Sequence, residues 1–167
     1  MYYTGIGSRE TPLEILNIME QLGNIFSTNY ILRSGAADGA DKAFEKYANK
    51  KDIYLPWKSF NNSNSQLYNI SPKAFELASV HPYWNNLKPA VKKLMARNVH
   101  QVLGLGLDTP SDFLICWTPD GASTKEEVNQ KTGGTGLAIT IADLYNVPVF
   151  NLQREDILDS IKEQYKL

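Results

Sequence analysis

The sequence predicts a parallel α/β sheet sandwiched between helices, in a single domain. Three observations predict it. Short apolar runs with strand character recur along the chain, each leads into a loop of glycines and other small residues, and each loop opens into a stretch with apolar residues at helical spacing. The clearest unit lies at 111–150. Phe113 to Trp117 is an apolar run suited to a strand buried on both faces, and it ends in the turn signal Thr118-Pro119-Asp120-Gly121. Gly133-Gly134-Thr135-Gly136 then leads into an apolar helix over about 136–145, and Val147 to Phe150 reads as the next interior strand. A strand, a glycine loop, a helix and a strand make a βαβ unit, whose loop can present backbone N–H groups to a phosphate. A glycine turn that only reverses the chain is the plainer alternative.

From the N-terminus, Tyr2 to Ile6 has strand character and breaks at Gly5-Ile6-Gly7-Ser8-Arg9. Thr11-Pro12 offers a helix start, and Leu13, Leu16, Met19, Leu22, Ile25 and Phe26 carry the helix to about Ser27. Tyr30-Ile31-Leu32 is a second strand, closed by the loop from Arg33 to Asp41, with a helix through Ala43, Phe44, Tyr47 and Ala48 behind it. Ile53-Tyr54-Leu55 is a third strand, ended by Pro56-Trp57. Residues 58–90 break the rhythm with an Asn/Ser loop, a short helix from Ser71-Pro72 to Ser79, and the aromatic turn His81-Pro82-Tyr83-Trp84. The segment is either an insertion that covers the ligand edge as a lid or a surface excursion packing its own aromatics. Pro89 to Leu103 is helical again, and Arg154 to Tyr165 forms a charged, amphipathic C-terminal helix.

A chain of 167 residues with 43% apolar content supports one folded core. A formal net charge of −1 supplies no general attraction to a polyanion, and on that ground nucleic acid is set aside as a partner, a local basic patch excepted. One cysteine and two histidines cannot build a disulfide framework or a Cys/His zinc site, so no metal and no cofactor is expected. Cys116, inside an apolar strand, reads as a small buried hydrophobe. No apolar run reaches membrane-spanning length and no signal-peptide pattern opens the chain, so a cytoplasmic protein with no membrane contact is the expectation.

In parallel α/β sheets, ligands sit outside the carboxyl ends of the strands. The loops 5–9, 34–41 and 132–136 should therefore converge on one edge and form a binding site. Gly7, Gly35, Gly39 and Gly134 permit close approach of backbone and ligand. Ser8, Ser34 and Thr135 offer hydroxyls to a phosphate or ribose. Arg9 is a phosphate clamp or a solvated side chain; Arg97 is a clamp or a salt bridge under the sheet edge. Asp38 and Asp41 accept ribose hydroxyls or cap the following helix. Trp117 is a base-stacking platform or a core residue. All of these but Gly39, together with Ala36, Asn98, Gly133 and Gly136, make up the expected ligand-binding set.

Taken in order, Gly5-Ile6-Gly7-Ser8-Arg9, Ser34-Gly35-Ala36-Ala37-Asp38-Gly39-Ala40-Asp41, Ala96-Arg97-Asn98, Asp112-Phe113-Leu114-Ile115 and Gly133-Gly134-Thr135-Gly136 resemble the SLOG superfamily. Its Rossmann-like nucleotide-binding domains include the LOG phosphoribohydrolases, the DprA DNA-processing proteins and small stand-alone proteins of bacteria and phages. The resemblance spans about 5–150 without 58–90. It implies a Rossmann-like fold, a nucleotide-type ligand and association into a dimer or higher homo-oligomer. The LOG enzymes resemble PGGxGTxxE, whose acid takes part in breaking the N-glycosidic bond. Here Leu137 stands where their Thr sits, and Ile139 and Thr140 fall where acids would be.

The leading expectation is therefore a protein that senses or sequesters a nucleotide-derived small molecule, such as a nucleoside phosphate or an ADP-ribose-type signal. An N-glycosidase using Asp38, Asp41 or Glu127 as acid is the first alternative, with Glu126 and Glu127 as replacement acids or as part of a solvated loop. DprA-like binding of single-stranded DNA is the second.

Overall fold

The computed structural model describes all 167 residues. Five parallel strands form one sheet in the order β3-β2-β1-β4-β5, where β1 is Tyr2–Gly5, β2 Ile31–Ser34, β3 Lys51–Ile53, β4 Phe113–Cys116 and β5 Val149–Asn151. The helices are α1 (Leu13–Phe26), α2 (Ala40–Tyr47), α3 (Pro72–Ala78), α4 (Pro89–Leu103), α5 (Thr135–Leu144) and α6 (Glu155–Tyr165). The strand order reverses at β1, which has β2 on one side and β4 on the other. Loops leaving β1 and β4 therefore diverge to opposite faces and leave a crevice at their carboxyl ends.

Alternation along the central strands builds the two faces. Tyr3 and Ile115 point into a cluster with α1, α2 and α6, whereas Leu114 and Cys116 point into a cluster with α4 and α5, extended by Ala74 and Ala78 of α3. Each helix lays its apolar stripe on one of these layers. In α1 the stripe is Ile15, Ile18, Met19, Leu22 and Phe26. At α3 the expected start is present: Ser71 accepts the Lys73 N–H at 3.2 Å and Pro72 occupies the first turn.

Some boundaries shift. The third strand begins two residues early, because Lys51 to Ile53 pair with β2 and Tyr54 instead meets Leu67 in an isolated bridge. Thr11 does not cap α1; its hydroxyl donates back to the Ser8 carbonyl at 2.6 Å, folding the loop that follows β1. No helix is long and apolar enough to cross a membrane.

Leu114 is wholly buried at the middle of the α4/α5 layer. Leu114→Ala should cost about 2–5 kcal/mol in a denaturant titration, whereas Leu13→Ala, at a position 73% exposed, should stay within about 0.5 kcal/mol.

Candidate functional site

The loops after β1 and β2 and the loop leading into α5 are tied together at the carboxyl edge of the sheet. The Ser8 N–H donates to the Trp117 carbonyl at 3.1 Å, extending the β1–β4 pairing beyond both strands. The Ser34 hydroxyl donates to the Gly5 carbonyl at 2.7 Å. From α4, Arg97 donates through Nη1 to the carbonyls of Gly35 (2.5 Å) and Tyr54 (3.2 Å), and through Nε to Asn98 Oδ1 (2.9 Å). Asn98 Nδ2 in turn reaches the Gly134 carbonyl at 3.1 Å. A continuous polar strut thus runs from the loop after β2 to the glycine loop of α5.

These contacts sort the expected site residues into two groups. Arg97, Asn98, Ser34 and Asp41 are buried and turned inward. Gly35 has no side chain because one would meet Gln101 and Arg97, with Arg97 Nη1 2.8 Å from a Cβ built there. Gly7 is likewise packed between Ala40 and the Trp117 backbone, and the half-buried Trp117 side chain packs with the α1/α2/α6 layer. Arg9 is exposed and enters no ion pair. Asp38 is exposed and pairs with Lys42 at 2.8 Å, which holds its carboxyl below the usual range; it does not cap α2, whose N-cap is Gly39.

The start of the loop 34–41 spends its own amides. Asp41 Oδ2 accepts the Gly35 N–H at 3.1 Å, and Glu45 Oε1 accepts the Ala36 N–H at 2.8 Å. Ala36 is thereby held at φ +57°, left-handed backbone that is unfavourable for alanine, with its carbonyl taken by Asn61 Nδ2 at 3.0 Å. Burial raises the Asp41 carboxyl to about 6, opposed by the nearby Arg97 guanidinium. Burial and the neighbouring Asp41 raise Glu45 to about 7. Arg97 is lowered by its own burial, opposed by both acids. Sequence reasoning missed Glu45. Its one signal was the four-residue step from Asp41, which places both acids on the same helical face.

The loop into α5 is built differently. Asp120 gathers the hydroxyls of Thr118 (2.8 Å) and Thr132 (2.5 Å), the Ala122 N–H (3.3 Å) and Asn129 Nδ2 (3.1 Å). Burial works against the charge of Asp120, but these hydrogen bonds prevail and keep its pKa low. Buried Asn151 joins the same loop through Thr118 and Ala122. Both residues escaped the sequence reading, Asp120 because it looked like an ordinary turn residue. The framework leaves the first turn of α5 open. No side chain caps it, and the Gly134 and Thr135 N–H groups have no protein acceptor. Gly133 takes φ +70° with nothing within 4 Å of a built Cβ. Beside it lies a cavity of about 470 Å³, bounded by Gly133, Gly136 and Leu137, by Met95 of α4, and by His81 and Tyr83 of the excursion.

The positions aligned with the LOG acid are inert. Ile139 is fully buried, Leu137 nearly so, and the Thr140 hydroxyl donates to the Gly136 carbonyl at 2.9 Å. Of the substitute acids, Asp41 lies beneath its loop, and Glu127 is exposed and occupied with Ser123, Thr124 and Arg154. No group of three or more His, Cys, Asp or Glu side chains could hold a metal ion.

The fold and this edge define a Rossmann-like α/β protein, with a single five-stranded parallel sheet between two helical layers. No family model matches the sequence and no curated protein matches it. Among solved structures, the chain is similar to DNA processing protein A from Helicobacter pylori, with a TM-score of 0.58 and 17% identity over 99% of this chain and 80% of that one. The likeness shows the Rossmann-like fold and nothing finer. It also overturns one expectation. That structure is described for its mode of binding single-stranded DNA, so a chain of this fold cannot be separated from nucleic acid by net charge alone. Net charge sums over the whole surface, whereas a strand meets one face of it.

Glu45 carries a pH test. A carboxyl raised in the folded state from 4.5 to about 7 contributes stability that is complete below about 4.5 and is lost as the pH rises through about 7. Glu45→Gln keeps an acceptor for the Ala36 N–H but cannot ionise. Its melting temperature should rise relative to wild type as the pH goes from about 5 to about 8. Comparing the two proteins at each pH cancels the histidines, both of which burial depresses. Parallel curves would remove Glu45 from the linkage.

Proposed function

We propose that the protein binds single-stranded DNA across the carboxyl edge of its sheet, one phosphate of the strand seating on the first turn of α5. The observation that carries this reading is the pair of unpartnered amides at Gly134 and Thr135, which follow Gly133 of the cavity wall in the chain. Unpaired helix N-terminal donors attract an anion through both hydrogen bonding and the helix dipole. Arg9, exposed and free on the loop after β1, supplies a cation to the same edge. Support from outside the chain is the DNA processing protein, which binds single-stranded DNA on a similar fold.

The cavity supports a second reading, binding of a free nucleotide-derived molecule. A volume of about 470 Å³ with apolar walls is in the range of small-ligand pockets. Titrating nucleoside phosphates and ADP-ribose by calorimetry, and testing whether they displace a labelled oligonucleotide, separates the two readings. Enzymatic cleavage of an N-glycosidic bond has the least support, because no acid projects into the glycine-loop opening.

Gly134 has ordinary helical backbone angles, and a Cβ there would touch only Met95 at 3.4 Å. Gly134→Val should therefore fold with an unchanged melting temperature but lose at least tenfold in affinity for fluorescent oligo(dT), measured by anisotropy at low salt. Arg9→Ala should weaken the same binding by about 1.5–3 kcal/mol, the scale of a charge-assisted hydrogen bond. Unchanged affinity in folded Gly134→Val would remove the α5 loop as the phosphate site.

A further inference from the structure

The excursion between β3 and α4, taken with the start of α4, has a composition unlike the rest of the chain. Residues 57–93 hold five of the protein's seventeen basic residues and one of its eighteen acidic ones. The same stretch carries Trp57, Phe60, Tyr68, Phe75, Tyr83 and Trp84. A near-neutral total therefore conceals a basic, aromatic segment. Part of it folds into a hollow of about 360 Å³ lined by Trp57, Lys58, Tyr68, Phe75 and Lys93. Trp57 remains 38% exposed, and Lys58 and Lys93 are exposed and enter no ion pair.

The aromatic wall is anchored. Trp57 meets Phe60 edge to face at 5.4 Å, and Phe60 lies under the Arg97 guanidinium at 5.4 Å. Through Arg97, the ring pair is joined to the Gly35 carbonyl and so to the loop after β2. A fixed aromatic ring with an open side, flanked by unpaired ammonium groups, suits an unstacked nucleobase whose neighbouring phosphates meet the lysines. A duplex offers its bases already stacked on one another and cannot use such a ring.

We propose that this hollow is a base-stacking subsite for single-stranded DNA, formed by the excursion and Lys93 of α4 and distinct from the phosphate site at α5. The proposal rests on the DNA-binding reading above and extends it: one strand would contact the α5 loop and stack a base on Trp57. Charge complementarity and the exposed ring select this occupant over a free anion, which has no use for the aromatic wall.

The test is anisotropy with oligo(dT), a duplex of the same length and inorganic polyphosphate as competitor. Trp57→Ala should lower oligo(dT) affinity roughly 5- to 100-fold, and Trp57→Phe should restore most of it. The double variant Lys58→Glu/Lys93→Glu alters only exposed side chains. It should lower affinity at least tenfold and reduce the slope of log affinity against log salt by about 0.7 for each phosphate the lysines no longer neutralise. Polyphosphate should compete poorly and the duplex should bind more weakly than the single strand. Wild-type affinity in both the Trp57→Ala and the double-lysine variants would overturn the proposal, as would equal competition by polyphosphate. If Trp57→Ala does not fold, the lysine variant decides. Loss in Gly134→Val with no change in the hollow variants leaves the α5 site and removes this subsite. The reverse pattern leaves the subsite and removes the α5 site. Absence of oligo(dT) binding by the wild type removes both.

Discussion

The buried guanidinium of Arg97 is the interaction on which the edge depends. It is 4% exposed, and its hydrogen bonds go to two carbonyls and a side-chain amide, while Asp41 and Glu45 supply the nearby negative charge. A buried charge persists only where its donors are met and an opposite charge lies near. Meeting those donors positions Gly35, Tyr54 and Asn98, and Asn98 then positions Gly134. One residue of α4 thus sets the spacing between loops that belong to different βα units. The absence of a side chain at Gly35 is the matching constraint from the other side.

The three glycine loops use their backbone donors differently. The loop after β2 is rich in small residues because it folds onto its own carboxylates, and the left-handed Ala36 is held there by Glu45 and Asn61. Its first two amides, at Gly35 and Ala36, are committed. The loop after β1 is partly committed to Trp117. At the start of α5, Asp120, Thr132 and Asn151 fix the approach, nothing caps the helix, and the Gly134 and Thr135 donors remain free next to a cavity. Glycine richness alone therefore does not mark a ligand contact; the fate of each N–H does.

The same reasoning applies to charge. A sum near zero excluded a nucleic-acid partner only if the charges were evenly spread. The excursion and the start of α4 concentrate lysines and aromatic rings beside the carboxyl edge, and the acidic surplus lies elsewhere on the chain. The structure carries that excursion in place through Asn61 and Phe60, whose partners, Ala36 and Arg97, belong to the edge itself.

Periodicity and turn chemistry were enough to read the five parallel strands, the helices between them and the gathering of the loops at one edge. These features follow from local spacing: alternate residues of Tyr3 and of Leu114 to Cys116 sort to two faces, and apolar stripes such as that of α1 answer them. The placement of Arg9 on the surface and the aliphatic replacement at Ile139 were legible too, since residue type sufficed. What tertiary structure alone decided is the orientation of each polar group. Asp41, Arg97, Ser34 and Asn98 are the residue types that bind a phosphate or a ribose, and the fold turned them inward instead. Glu45, Asp120 and Asn151 became structural centres through partners distant in sequence. A polar side chain buried within the fold takes whichever complementary group it meets there, and only the packed chain brings those groups together.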